Sequence, residues 1–201
     1  MKQQIEQGVD VLRKGGLVAF PTDTVYSLAA RYDDEKAVAK VYQLKQRPRQ
    51  IPLPLLLADT NQIDDMAVDV PPIAWLLAGR FFPGALTLVL PKAANVPDIV
   101  TGGGNTVALR MPDHPVPLEI IKGVGVPIVG TSANLHGQPS PVIAEEVRKQ
   151  LGDKLDVVID GGKCPGGRES TIVDVTGEVP KIIRQGAVAW GDIMQACRML
   201  W

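Results

Sequence analysis

Residues Leu17 to Leu28 read LVAFPTDTVYSL, and this stretch constrains the fold more than any other. Val18, Ala19 and Phe20 suit a strand buried in a core, and Pro21 stops its ladder because proline has no N–H to donate. Thr22, Asp23, Thr24 and Tyr26 then set three hydroxyls and a carboxylate at the strand's carboxyl end. In open α/β sheets ligands collect at that end, which makes the segment a candidate binding loop. An Asx-type turn running into a helix cap would use the same residue types, so this stretch alone leaves both readings open.

Ile5, Val9 and Leu12 recur at helical spacing within Gln3–Lys14, and Gly15-Gly16 closes that helix. Asp33 or Asp34 can cap a helix carrying Val38, Val41 and Leu44. Leu53–Leu57, Leu86–Leu90, Thr106–Arg110 and Pro127–Val129 read as strands. Asp59-Thr60 and Pro71-Pro72 open two further helices, the second holding Trp75 and Phe81. Val116–Lys122 reads as a helix closed by Gly123, and Ser140-Pro141 as the cap and first residue of a helix to Leu151. Val157–Ile159, Thr171–Val175 and Lys181–Ile183 complete the sheet before a terminal helix, Asp192–Leu200. Helices and strands alternate early and strands crowd late. The expectation is an α/β fold, a single domain over residues 1–201 with a mixed, twisted sheet and flanking helices.

Composition narrows the function classes. At 201 residues, 45% hydrophobic and 21% charged, the chain can bury a core without covalent staples. Cys164 and Cys197 show no C-x-x-C spacing and nothing reads as a secretory signal, so a reducing cytoplasm is expected. No apolar run approaches the ~20 residues that span a bilayer, so no membrane role is expected. The 21 cationic and 22 anionic side chains give −1, with no global basic field for nucleic acid. An anionic ligand must then be held by a few focused cations. The two histidines, His114 and His136, sit in turn-like contexts, and without H-E-x-x-H or a His/Cys cluster no protein-built metal site is expected.

Three more clusters carry hydrogen-bonding chemistry. Lys45, Arg47 and Arg49 alternate within KQRPR; an extended backbone there would send all three to one side. Thr131-Ser132-Ala133-Asn134 follows a strand and can meet phosphate or ribose, or close a turn. Gly161-Gly162 and Gly166-Gly167 precede Glu169-Ser170-Thr171, and glycine-rich loops let backbone N–H groups approach anions. The chain has no G-x-x-x-x-G-K-[ST], no dinucleotide fingerprint and no nucleophile elbow. Chemistry here therefore proceeds by positioning and charge stabilisation, without a covalent enzyme intermediate.

Seven strings in order, PTDTVY at 21–26, KQRP at 45–48, PGALTLVL at 83–90, ALRMP at 108–112, TSAN at 131–134, STIVD at 170–174 and IIRQG at 182–186, resemble the YrdC/TsaC family. The resemblance covers about residues 5–186 and is to the short bacterial form, without the extra C-terminal domain of longer members. It implies a YrdC-like fold and a threonylcarbamoyl-AMP synthase, a nucleotidyltransferase. Such an enzyme makes threonylcarbamoyl-AMP and pyrophosphate from L-threonine, bicarbonate or carbon dioxide, and ATP. A tRNA threonylcarbamoyl transferase complex would use the product on tRNAs reading ANN codons, and Mg2+ would arrive with ATP through its phosphates.

Carried onto this chain, the resemblance gives L-threonine to Thr24, Arg110, Gly130 and Ser170. It gives ATP to Lys45, Arg47, Thr106, Ser132, Asn134, Ser140 and Arg184, with Lys45 and Arg47 as the catalytic pair. Ser140 can equally be a helix cap. Four residues depart from the family pattern: Ser27 for a glycine, Ile51 for a polar residue, Leu56 for a histidine found in some members, and Ala85 for a proline. If the glycine has φ > 0 or admits a close ligand, Ser27 would strain or narrow the pocket. Two alternatives belong to other classes. One is a non-catalytic RNA-binding or ribosome-maturation module facing phosphate with Lys45, Arg47 and Arg49, and weak RNA binding stays open beside the enzyme reading. The other is a carbamoyl-adenylate enzyme using carbamoyl phosphate, whose YrdC-like domain usually sits in a much longer chain.

Overall fold

The amphipathic spacing of Ile5, Val9 and Leu12 forms α1 (Lys2–Arg13) in the computed structural model, which describes residues 1–198. There follow β1 (Val18–Phe20), β2 (Ser27–Arg31), α2 (Glu35–Lys45), β3 (Leu55–Leu56), α3 (Gln62–Met66) and α4 (Pro72–Phe81). Next come β4 (Leu86–Pro91), α5 (Asp98–Thr101), β5 (Thr106–Arg110), α6 (Pro115–Val124), β6 (Ile128–Ser132) and α7 (Ala144–Leu151). The chain continues through β7 (Val157–Val158), β8 (Thr171–Asp174), β9 (Lys181–Arg184) and α8 (Trp190–Cys197). The nine strands form one sheet in the order β7-β1-β2-β6-β3-β5-β4-β8-β9. It is mixed: β1 pairs antiparallel with β2 and parallel with β7, while β4 runs antiparallel to β5 and parallel to β8. Among the described residues no helix is long and apolar enough to cross a membrane.

Several sequence expectations are corrected. Ser27–Arg31 reads SLAAR, without a β-branched or aromatic residue, yet it is a central strand because β1 and β6 supply partners on both edges. β6 runs on to Ser132, so Thr131 and Ser132 lie in the ladder opposite Leu28 and Ser27 and not in a turn after it. α6 continues past Gly123 and is closed by Gly125, whose φ of 86° is the left-handed conformation of a helix end. Gly123 stays inside the helix, where a Cβ would stand 2.7 Å from Val9 Cγ2 and force α1 and α6 apart. α7 starts at Ala144 after an extended Ile143, so Ser140 does not cap it. α5 carries no periodicity and was not expected. α8 spans Trp190–Cys197, and residues 199–200 of the expected terminal helix lie outside the described residues.

Strand alternation divides the apolar residues between two layers. One face of the sheet buries Ala19, Leu28, Leu55, Leu88, Leu109 and Val173 against α2, α3, α4, α7 and α8. The opposite face buries Val18, Phe20, Ala29 and Ile128 against α1 and α6. That second layer reaches only the β7, β1, β2, β6 and β3 end. On β4, β5 and β8 the same face carries Thr87, Val89, Ala108, Arg110 and Ile172, and these side chains border a cavity where a third layer would stand. The uncovered half of the sheet is the place for a site.

Candidate active site

The cavity has a volume of about 400 Å³. It spreads across the sheet face and takes residues from the middle of strands, so the expected crevice beyond the strands' carboxyl ends is only part of it. Thr22, Thr24, Val25 and Tyr26 from the loop after β1 close one side. Of the residues carried over from the family, Thr24, Lys45, Arg47, Arg110, Gly130, Ser132, Asn134, Ser170 and Arg184 all line it. Thr106 shares the β5 face of Ala108 and Arg110 but is exposed and lies outside the lining. Ser140 also lies outside the lining and reaches it through Glu169, whose Oε1 accepts the Ser140 hydroxyl at 2.6 Å.

Arg110 ends β5 and is buried, with 8% of its surface exposed. Its Nε donates to Gly84 O at 2.9 Å, Nη1 to Thr24 Oγ1 at 3.0 Å, and Nη2 to Asp23 Oδ1 at 2.6 Å. A guanidinium has five N–H groups, so with three engaged one remains on each terminal nitrogen, the fork that a carboxylate accepts. Burial lowers the Arg110 pKa while the Asp23 carboxylate opposes that shift. Asp23 Oδ1 also accepts the Asp113 N–H at 3.2 Å. The loop holds its own shape through Thr22, whose Oγ1 donates to Val25 O at 2.7 Å and accepts the Thr24 N–H at 3.1 Å. Of the turn reading, the turn itself stands, closed by Thr22 Oγ1 and not by an Asp side chain, but no helix cap follows, because the segment runs straight into β2.

The glycine-rich loop supports that segment. Gly166 and Gly167 N–H groups donate to Asp23 O and Thr24 O at 3.0 and 2.9 Å, and the Tyr26 hydroxyl donates to Gly162 O at 2.8 Å. Burial pushes the Tyr26 phenol up to about 12. These amides were candidates for direct anion contact; they are spent on holding Thr24 and Asp23 against Arg110.

A second cluster gathers around Lys45. α2 begins with Asp34, whose Oδ1 accepts the Lys36 and Ala37 N–H groups at 3.0 Å each, and ends at Lys45. Gln46 is left-handed, with φ of 52°, and turns the chain so that Arg47 also faces the cavity. The backbone is therefore not extended here, and the three cations do not share a side: Lys45 is 1% exposed, whereas Arg49 is on the surface and outside the lining. Lys45 Nζ donates to Ser132 O, to Asn134 O at 2.8 Å and to Asn134 Oδ1 at 3.3 Å. Burial draws its pKa down to about 7, Arg47 adds to the depression, and Glu169 opposes it. Arg47 is fixed through Ile51 O and Pro52 O at 3.3 and 3.0 Å. Ile51 thus contributes its carbonyl, not its side chain.

The two clusters meet at Ser170. Its hydroxyl bonds Thr87 Oγ1 at 2.8 Å, and its carbonyl accepts Arg184 Nε and Nη2 at 3.2 and 3.0 Å. Arg184 also pairs with Glu169 through Nη1. Asp23 and Glu169 stood in two of the polar clusters read from the sequence but were given no ligand; Thr87 sits in an apolar strand and His136 in a turn, and neither bears a local signal. Ser27 has no positive φ and sits in β2 with its hydroxyl donating to Thr131 O at 3.2 Å, so it narrows the wall without backbone strain. Leu56 covers Gly130, where a Cβ would stand 2.3 Å from Leu56 Cδ1; any side chain at 130 would displace the leucine.

Gly186 is the tightest of these supports. A Cβ there would lie 2.3 Å from Glu169 O and 2.4 Å from Ser170 O, and backbone atoms have little room to yield. Gly186→Ala is expected to lower stability by about 1–3 kcal/mol, the cost of overpacking, measured as a lower urea midpoint at unchanged slope. An unchanged midpoint would show that the 169–170 peptide moves freely.

The model of the Sua5/YciO/YrdC family, described as telomere recombination, matches residues 10–186. The chain belongs to that family. It is 44% identical over 182 residues to a threonylcarbamoyl-AMP synthase of Pyrococcus abyssi, and 44% identical over 186 residues to one of Bacillus subtilis. Those alignments take in 90% and 92% of this chain and 54% of each relative, so the chain spans about half the length of these curated relatives. The crystal structure of P. abyssi Sua5 complexed with L-threonine superposes with a TM-score of 0.95 at 41% identity, covering 98% of this chain and 58% of that one. The family fold expected from the seven motifs is the fold found.

Proposed function

We propose that this chain is an L-threonylcarbamoyladenylate synthase, a nucleotidyltransferase. It joins L-threonine, bicarbonate or carbon dioxide, and ATP into threonylcarbamoyl-AMP and pyrophosphate. The observation that carries the reading is the pairing, in one cavity, of a buried guanidinium with two free N–H groups and a separate cationic cluster around Lys45. Arg110 would fork onto the threonine carboxylate, with Thr24 and Ser170 offering hydroxyls and Gly130 its backbone. Lys45, Arg47 and Arg184, with Ser132 and Asn134, would hold the phosphates, and Thr106 and Ser140 the outer nucleotide.

With carbon dioxide the threonine nitrogen adds to the carbon and gives up a proton; with bicarbonate the same N–C bond forms as a carbon–oxygen bond breaks and water leaves. A carbamate oxygen then attacks the α-phosphorus, and the bond to pyrophosphate breaks. All partners are anionic, so the contribution of the chain is to fix cations and donors where charge gathers. Among the described residues no three His, Cys, Asp or Glu side chains form a metal cage. Magnesium would arrive with ATP as MgATP and would supply charge neutralisation at the phosphates beside Lys45, Arg47 and Arg184. The product would pass, in the cytoplasm, to a tRNA threonylcarbamoyl transferase complex. The RNA-binding alternative loses its main support, because Lys45 is buried and only Arg49 of the basic run is exposed.

The test is a product assay with ATP, magnesium, bicarbonate and L-threonine, the nucleotides resolved by chromatography and mass spectrometry. The expected result is an adenylate with the mass of threonylcarbamoyl-AMP that needs both threonine and bicarbonate. No adenylate from protein that binds ATP would overturn the proposal; an adenylate formed only from carbamoyl phosphate would replace it with the carbamoyl-adenylate reading.

A further inference from the structure

Among the described residues Glu169 is the one carboxylate lining the cavity, in a wall that otherwise presents Lys45, Arg47, Arg110 and Arg184. A negative charge there opposes a polyphosphate, so its position calls for a compensating contribution. Glu169 has two committed partners. Its Oε2 pairs with Arg184 Nη1, and its Oε1 accepts the Ser140 hydroxyl at 2.6 Å. Arg184 is otherwise held by Nε on Ser170 O and by Nη2 on Ser170 O and, at 3.3 Å, on Ser170 Oγ. With one Nη1 N–H given to Glu169, the other is the terminal donor that can turn toward a ligand.

The backbone around Glu169 is itself fixed. Its carbonyl accepts the Ala187 N–H at 2.9 Å, and Gly186 packs against the 169–170 peptide without room for a Cβ. The carboxylate therefore projects from a rigid point between two elements, the loop before β8 and the segment around Ser140. Its charge also reaches Lys45 and Arg47, where it favours the protonated forms.

We propose that Glu169 is a positioning residue for the nucleotide half of the site: it orients the Arg184 guanidinium and the Ser140 hydroxyl toward the phosphates and ribose of ATP. This rests on the ATP-dependent function proposed above and assigns it a residue that touches the ligand only through others. The carboxylate costs some direct repulsion with the triphosphate and offsets it by fixing the free Nη1 N–H of Arg184, a donor to phosphate, and the Ser140 oxygen, whose lone pairs can accept from a ribose hydroxyl. Its effect belongs to nucleotide affinity and not to threonine.

The experiment is calorimetric binding of a non-hydrolysable ATP analogue with magnesium, and separately of L-threonine, to wild type, Glu169→Gln, Ser140→Ala and the double variant. Glu169→Gln is expected to weaken analogue binding about tenfold, the loss of one charge-assisted contact, and to leave threonine affinity unchanged. Ser140→Ala is expected to act in the same direction, and the double variant to lose less than the product of the two single losses, because both act through one contact. Unchanged analogue affinity in Glu169→Gln would overturn the proposal. So would an equal loss for threonine, which marks a merely structural role, or full recovery at raised magnesium, which marks a metal ligand. If Glu169→Gln fails to fold, Ser140→Ala alone decides, since an unchanged analogue affinity there removes half of the arrangement. Because the readout is binding, a wild type that binds the analogue but makes no threonylcarbamoyl-AMP would overturn the proposed reaction and leave this assignment to be judged by the variants.

Discussion

Arg110→Ala is expected to raise the KM for L-threonine about 100-fold, since two charge-assisted hydrogen bonds of about 1.5 kcal/mol or more each are lost. The KM for MgATP should change little, because Arg110 belongs to the Thr24 and Asp23 cluster and not to the Lys45 cluster. The same substitution leaves the Asp23 carboxylate, whose side chain is 14% exposed, without its ion-pair partner. Breaking a buried pair from one side costs about 3–5 kcal/mol, so the variant should also be less stable. Arg110→Ala combined with Asp23→Asn separates the two effects. The neutral amide removes the stranded charge and recovers much of the urea midpoint, while threonine binding stays lost. If the double variant regained threonine binding along with stability, Arg110 would be a structural residue and the carboxylate fork would have to be sought elsewhere.

Lys45→Met is expected to lower kcat/KM for MgATP by about 100- to 1000-fold, the range seen when one preorganised charge-stabilising donor is removed. Methionine is unbranched and fills a buried slot, so the change removes the charge with little loss of packing. Its three carbonyl partners, Ser132 O, Asn134 O and Asn134 Oδ1, then lose their common donor, and the TSAN segment loses its tie to the end of α2. The pH profile gives a second readout. Burial places the Lys45 pKa at about 7 in the free protein, so the ammonium is present below that pH and is lost as pH rises through it. For wild type, kcat/KM for MgATP, which reports the free enzyme, should therefore fall on the alkaline side of about pH 7. In Lys45→Met that limb should vanish. A limb that persists would assign the titration to another group.

How much of this was legible from residues alone depended on how local the determining interaction is. α1, α2, α4, β4 and β5 followed from periodicity, capping and breakers, because the hydrogen bonds and the apolar stripe that form them lie within the segment. The Asp34 cap and Pro72 at the first turn of α4 are of that kind. β2 was missed since SLAAR owes its strand to neighbours on both edges. Ser140 looked like a cap by composition, but its hydroxyl finds a stronger acceptor in Glu169, 29 positions away. Within the site the motif residues were legible because their strings carry a family resemblance. Asp23 and Glu169 were visible only as members of polar clusters and Thr87 only within a strand, since their importance lies in partners at 87, 29 and 83 positions' distance.

Residue order alone settled the α/β class, the apolar stripes of the main helices and the small set of cations that any anionic ligand must use. Those properties follow from side-chain periodicity and from composition, which do not depend on where the chain later travels. Only the tertiary structure decided that α1 and α6 leave half of one sheet face uncovered, that Lys45 is buried while Arg49 is not, and that Arg110 keeps two N–H groups free. Each of these depends on strand order and long-range pairing. A guanidinium becomes a carboxylate receptor when Gly84, Thr24 and Asp23 take its other donors, and those three are brought together only by the assembled sheet.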